Sequence, residues 1–369
     1  MARNPLHTKL CDILGIEYPI IAFTHCRDVV VAVINAGAFS VYGGAPRTPD
    51  ELDADIRWIR ERIGNKPFGV DLLLPAASPP SATIEELKAQ IPETHKRFVA
   101  EIKRKYNIPD PKNEPEYYKL GWFSKEGTRR QLEVVLDHKV PVLAFGLGSP
   151  EWVLEPARAR GMQVWGLVGS PKQAKRELEL GVDAIIAQGY DAAGHTGYIG
   201  TFSLVPMVAA IAGDTPVIAA GGVTTGRHLA AALCLGAVGV WTGTIWLTSR
   251  ESDVDMVIKQ KLLAATAEDL THSRSVSGLP MRILRNQWTK EWESPEAPKP
   301  LPPPHQMIMA GEVMQAARDY GIEDFMTEAA GQGVGFVTSI KPARQIVFDL
   351  IAEATEVFEQ LVGELTITS

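Results

Sequence analysis

The 369-residue sequence predicts a TIM (β/α)8 barrel with an insertion after its third strand and a C-terminal helical cap. Three observations carry that expectation. Short apolar runs alternate with helical patterns from Tyr18 onward, eight such runs fall before residue 250, and four helical patterns end in a glycine just ahead of a run, at Gly37, Gly161, Gly181 and Gly236. Parallel strands need a crossover to return the chain to the same edge, and a helix is the usual one. A glycine just past a helix takes the left-handed conformation that stops it and turns the chain into the next strand.

Taken in order, Tyr18 to Phe23 is the first strand, and Asp28 caps a helix that reaches Asn35. Phe39 to Tyr42 is the second strand. Pro49 and Asp50 open a helix whose Leu52, Ile56 and Ile59 keep helical spacing, and Phe68 to Leu74 comes next as the third strand. Residues from about 75 to 127 break the rhythm with a proline-rich turn, a charged amphipathic stretch (IEELKAQIPETHKRFVAEIKRKY) and a polar, proline-punctuated segment. This reads as an inserted lid. Its Lys and Arg are interspersed with Glu, which marks a solvated helix face.

The rhythm resumes with a helix from Arg129 to His138, a strand from Val140 to Phe145, a helix from Pro150 to Arg160 and a strand from Gln163 to Val168. Pro171 to Leu180, Ala184 to Gln188, a helix through Pro206 to Ala212, Val217 to Ala220, Thr225 to Leu235 and Gly239 to Thr242 complete eight repeats. The expected organisation is a barrel over residues 1–250 and a C-terminal segment over 251–369, with helical patterns at Val254 to Leu270, Met309 to Tyr320 and Arg344 to Leu361 and a proline-rich stretch at Pro295 to Pro304. That segment is expected to cap the barrel or to sit at a homo-oligomer contact, and the sequence leaves both open.

Composition narrows the function classes. A formal net charge of −7 with no basic cluster argues against a nucleic-acid partner. No run of about 18 apolar residues exists to span a membrane, and the N-terminus lacks the apolar stretch of a secretory signal, so a soluble, cytoplasmic protein is expected. Cys11, Cys26 and Cys234 stand far apart, without zinc or disulfide spacing, so no metal is expected.

Barrel chemistry sits at the C-terminal ends of the strands. The stretch AIIAQGYDAAGHTGYIG places His195 there, in a glycine-rich loop that lets backbone approach a flat ligand. A loop histidine needs no special job, yet an imidazole moves a proton near neutral pH. The last two strands end in AAGGVTTGRH and WTGTIW, glycine turns that either bind a phosphate with backbone amides or serve only as turns. The fingerprints of Rossmann, P-loop, serine-hydrolase and zincin enzymes are all missing. A phosphate-bearing cofactor across the barrel mouth remains. Trp241, Trp246 and His25 lie at the same end as candidate substrate contacts or packing residues, His228 falls in a helix, and Tyr190 and Tyr198 flank the His195 loop.

AQGYDAAGHTG, PVIAAGGVTTGRHLAAALCLGAVGVWTGT, RILRNQW and AGQGVGF, in that order, resemble the nitronate monooxygenase family and the related flavin-dependent enoyl-ACP reductases. The resemblance implies non-covalent FMN, with phosphate at Gly221, Gly222, Gly243 and Thr244 and the ring near Ala22, Phe23 and Gln188, with Gly194 and Gln332 also at the cofactor. It implies His195 as catalytic base; His25, Asp71 and Trp246 are candidate substrate residues from their own place at the strand ends. It further implies oxidation of alkyl nitronates or nitroalkanes by O2 to a carbonyl compound and nitrite. The alternative is an NAD(P)H-dependent FMN reductase of enoyl thioesters or quinones, and a third class is a barrel that only binds a ligand. The sequence departs from the family in placing Asp71 where asparagine is usual, Thr196 where arginine often follows the histidine, and Thr24 and His25 where methionine is common. A carboxylate at position 71 is expected to disfavour reduced, anionic flavin.

Overall fold

The eight predicted strands are apolar at nearly every position, and such strands are stable only when both faces are covered. The computed structural model describes residues 6–74, 83–115, 118, 125–146, 148 and 151–366. In it β1 (Ile20–Thr24), β2 (Phe39–Gly43), β3 (Gly69–Leu73), β4 (Val142–Gly146), β5 (Gln163–Val168) and β6 (Ala184–Gln188) pair in sequence order. A two-residue strand, β7 (Gly194–His195), leaves the barrel; β8 (Val217–Ala220) and β9 (Gly239–Thr242) then complete it, and β9 closes on β1 through parallel pairs such as Ile21 with Trp241. The fold is a TIM barrel.

Alternation along each strand divides the core in two. Ile21, Val41, Ala144, Trp165, Ile186, Ile218 and Trp241 point inward, and Leu10 and Leu14 of helix α1 (Lys9–Leu14) join this inner cluster. Ile20, Ala22, Val70, Leu143, Ile185 and Val240 point outward to the helices. Gly37, Gly161, Gly181 and Gly236 all have positive φ, from 73° to 95°, as the predicted helix stops require.

Several boundaries move for identifiable reasons. Asp28 lies in the first turn of the helix Arg27–Asn35, whose N-cap is Cys26. Pro92 splits the long amphipathic pattern of the insertion into two helices, Ile84–Gln90 and Glu93–Lys105. The helix expected from Pro206 starts earlier, as Thr201–Ala209, where the Asp191 carboxylate accepts from the Thr201 amide at 2.7 Å. The pattern from Val254 gives only the helix Met256–Ala264, after which the chain forms an antiparallel pair, β10 (Leu270–Ser273) and β11 (Met281–Leu284). The proline-rich turn at 75–82, the polar stretch at 116–117 and 119–124, and Pro150 lie outside the described residues.

The insertion and the chain after β9 share a second hydrophobic core. Leu87, Val99 and Ile102 of the insertion are buried with Ile258, Leu262, Trp288, Ile308, Val313 and Phe325. The last helix, Ala343–Thr366, instead returns to the barrel wall, where Ala343, Val347, Leu350 and Ala354 form one buried stripe. Among the described residues no helix is long and apolar enough to cross a membrane.

The stripe meets the helix Gly226–Cys234 at Gly226, where a Cβ would lie 2.4 Å from the backbone atoms Leu350 O and Ala354 N. Backbone cannot yield as a side chain does. Gly226→Ala is therefore expected to lower the unfolding free energy by about 2–3 kcal/mol, seen as a reduced urea midpoint at unchanged slope. An unshifted midpoint would contradict this packing.

Candidate active site

A cavity of about 780 Å3 opens at the C-terminal ends of the barrel strands. Phe23, Asp71, Gly146, Leu167, Gln188, Ala220 and Trp241 contribute to it from the strands and their ends, and Val276, Ser277, Met281 and Met307 close it from the chain after β9. Phe23 and Trp241 stack inside it, with centroids 5.4 Å apart and planes at 22°.

The histidine loop begins at Gly189, which no other residue could replace, since a Cβ there would fall 2.2 to 2.4 Å from Thr201. The chain then turns back as β7, which pairs with β11 so that His195 faces Met281 and Gly194 faces Arg282. Arg282, only 4% exposed, donates through Nη2 to the Tyr190 carbonyl at 2.9 Å and through Nε to the Ala192 carbonyl at 3.2 Å, with its guanidinium 4.3 Å from the Tyr190 ring centroid. The Gln188 side-chain amide donates to the His195 carbonyl at 2.7 Å. These contacts fix the imidazole at the cavity wall, with Nε2 2.8 Å from the buried Ser277 Oγ. Burial, and secondarily the nearby His272, pull its pKa down to about 4, so the ring is neutral at pH 7.

The last two glycine turns meet at the other side of the cavity. Gly221 and Gly222 have φ of +102° and +74°, and a Cβ on Gly221 would lie 3.0 Å from both Gly189 O and Ala192 N, so this turn rests on the histidine loop. Thr224 Oγ1 is buried there without a hydrogen-bond partner among the described residues. Thr244 Oγ1 accepts from the Gly331 amide at 2.9 Å, and Gly333 packs so tightly that a Cβ would be 2.6 Å from Thr224 Cγ2. The segment AGQG is thereby folded onto both turns. The Gly226 amide is already held by Glu353 at 2.6 Å, which leaves the turn amides and the threonine hydroxyls as donors for an anion.

Most of the residues expected at the site line this cavity: Phe23, His25, Asp71, Gln188, Gly194, His195, Gly221, Gly222, Gly243, Thr244 and Trp246. Two do not. Ala22 points outward into the helix layer because it alternates with Phe23, and Gln332 donates its backbone N–H to Asp191 O while its neighbour Gly333 reaches the cavity. His25 is held by Gly43 O, 2.8 Å from Nδ1, and Trp246 donates to Thr242 O at 2.9 Å. His228 serves the capping box of its helix, and Tyr198 is 75% exposed. Sequence reasoning missed Arg282, Ser277 and Thr224. Arg282 stood in view within RILRNQW, but nothing local ties it to a loop some 90 residues earlier. Among the described residues no cluster suited to a metal ion occurs.

Asp71 is 8% exposed, and no hydrogen bond or opposite charge offsets the desolvation of its carboxyl group among the described residues. Burial pushes its pKa up to about 8. The expected anionic carboxylate is therefore mostly a neutral acid at pH 7, a correction that comes from desolvation alone.

A closed barrel whose cavity is faced by a neutral imidazole and two glycine turns has the layout of a barrel enzyme. The sequence profile of the family described as nitronate monooxygenase matches residues 7–353, and the chain belongs to that family of flavin-dependent oxidoreductases. A Mycobacterium tuberculosis protein named as a putative monooxygenase is 39% identical over 97% of this chain and 99% of its own length. The nitroalkane oxidase of Streptomyces ansochromogenes superposes with a TM-score of 0.78 at 27% identity, covering 95% of this chain and 99% of that one. FabK of Thermotoga maritima gives 0.75 at 29% identity, over 97% and 99%.

Between pH 3.8 and about 8 the folded chain keeps a proton on Asp71 that the unfolded chain releases. Stability from this group is thus full at low pH and is lost as pH rises, by up to about 1.4 kcal/mol per unit. Asp71→Asn is expected to remove that slope and to gain on the wild type between pH 5 and 8 in urea unfolding. Parallel pH profiles for the two proteins would refute the assignment.

Proposed function

We propose that the chain binds FMN and uses O2 to oxidise alkyl nitronates, and more slowly nitroalkanes, to a carbonyl compound and nitrite. The observation that carries this reading is one cavity lined by both a neutral His195 and the glycine turns of β8 and β9. The donor set suits a flavin phosphate: turn amides, the Thr244 hydroxyl and the unpartnered Thr224 hydroxyl, with no carboxylate among them. Phe23, Gln188 and Trp241 would border the ring. Bound there, FMN would supply the redox chemistry, taking electrons from substrate and delivering them to oxygen. The barrel would carry the cofactor and the segment after residue 250 would cover it.

The chain's own part is positioning and proton transfer. His195 would take the α-proton of a nitroalkane on its unprotonated ring nitrogen, and would orient a nitronate that arrives without that proton. The burial that keeps the imidazole neutral also weakens it as a base. Preformed nitronate is therefore the favoured substrate. The likeness to FabK supports a second reading, NAD(P)H-dependent reduction of enoyl thioesters or quinones in the same cavity.

The purified protein is expected to show a flavin spectrum that bleaches anaerobically with propionate 3-nitronate and not with NADPH. Bleaching by NADPH alone would favour the reductase reading, and a colourless protein that takes up no FMN would defeat both. His195→Ala is expected to reduce nitroalkane turnover by about 10²-fold or more while sparing most nitronate turnover. In the wild type, the acid limb of kcat/KM for nitroalkane should fall near pH 4, since protonation of His195 there removes the acceptor. An acid limb near about 6.5 would show a solvated imidazole instead.

A further inference from the structure

We propose that Ser277 is a positioning residue that fixes the tautomer of His195, so that Nδ1 is the nitrogen that takes up a proton. Ser277 lies between β10 and β11, is 3% exposed, and lines the same cavity as His195. Three atoms surround its hydroxyl oxygen: the Leu279 amide nitrogen at 3.2 Å, the Leu279 carbonyl oxygen at 3.1 Å and His195 Nε2 at 2.8 Å. A hydroxyl has one proton and two acceptor positions.

The Leu279 N–H has only a donor to offer, so it occupies one acceptor position. If the serine proton goes to the Leu279 carbonyl, the second acceptor position is free for a proton on Nε2, and all three contacts are satisfied. If the proton goes to Nε2 instead, two oxygens face each other at 3.1 Å with no hydrogen between them. That arrangement takes from the part-buried Leu279 carbonyl the donor it has in the first, at a cost of up to about 1 kcal/mol. The first arrangement is therefore the resting one. It puts the lone pair on Nδ1, which has no hydrogen-bond partner among the described residues.

The same arrangement suits the protonated ring. Once Nδ1 gains a proton, the Nε2–H to Ser277 bond becomes charge-assisted without any group having to turn. The opposite tautomer would present an N–H to substrate and would have no lone pair to accept with. The catalytic half of this inference rests on His195 acting as the base; the tautomer itself is a property of the resting protein.

Long-range 1H–15N correlation of the flavin-loaded protein labelled at histidine nitrogen tests it, with the His195 signals identified by their loss in His195→Asn. The expected result is a protonated Nε2 and a bare Nδ1. In Ser277→Ala the two tautomers should mix, and kcat for neutral nitroalkane should fall on the order of tenfold to a hundredfold, clearly more than kcat for nitronate. Ser277→Thr, which keeps the hydroxyl, should restore both. A proton on Nδ1 in the wild type, or an unchanged tautomer and rate in Ser277→Ala, would overturn the proposal. A bare Nδ1 in a wild type that turns over neither substrate would support the role of Ser277 and sink the nitronate reading.

Discussion

The placement of His195 depends on a guanidinium that is almost out of water. At 4% exposure the Arg282 guanidinium must satisfy its donors from the protein, and the Tyr190 and Ala192 carbonyls are what it finds. Hydrogen bonds to a charged group contribute about 1.5–3 kcal/mol each, more than the neutral bonds that hold most loops. The histidine loop is thereby tied to β11 rather than merely resting on it. Everything downstream inherits this: the Gly221 turn packs on Gly189 and Ala192, and the AGQG segment packs on that turn.

The same burial governs the cavity's electrostatics. Asp71 is held as an acid and His195 as a free base, so two groups that would be ionised or partly ionised in water are both close to neutral at pH 7. These two groups thus add little charge of their own to a cavity that Arg47, Asp253, Asp255, Arg318 and Glu328 also line.

The barrel was legible in the sequence because its signals are local. Runs such as Gln163 to Val168 and Ala184 to Gln188 keep their predicted limits residue for residue, and each glycine helix stop has the backbone conformation its position implies. The site was legible where it lies at the end of a strand. Alternation decided between Ala22 and Phe23, and the sequence alone did not say which of the two faced in. What lay beyond reach were the pairings across distance. The Ser277 hydroxyl meets His195 over 82 residues, and β7 is two residues long, too short for any periodicity to register. Nothing in the sequence hints that the Thr224 hydroxyl is buried without a partner among the described residues.

The contact between Glu353 and the Gly226 amide has a consequence for how the chain assembles during translation. Every strand of the barrel has left the ribosome about a hundred residues before Glu353 does, so the helix beside the last glycine turns waits with one flank bare and its first amide unmatched. The vectorial order of synthesis thus makes the corner around the last two glycine turns one of the last regions of the barrel to mature, complete only once the returning helix has docked.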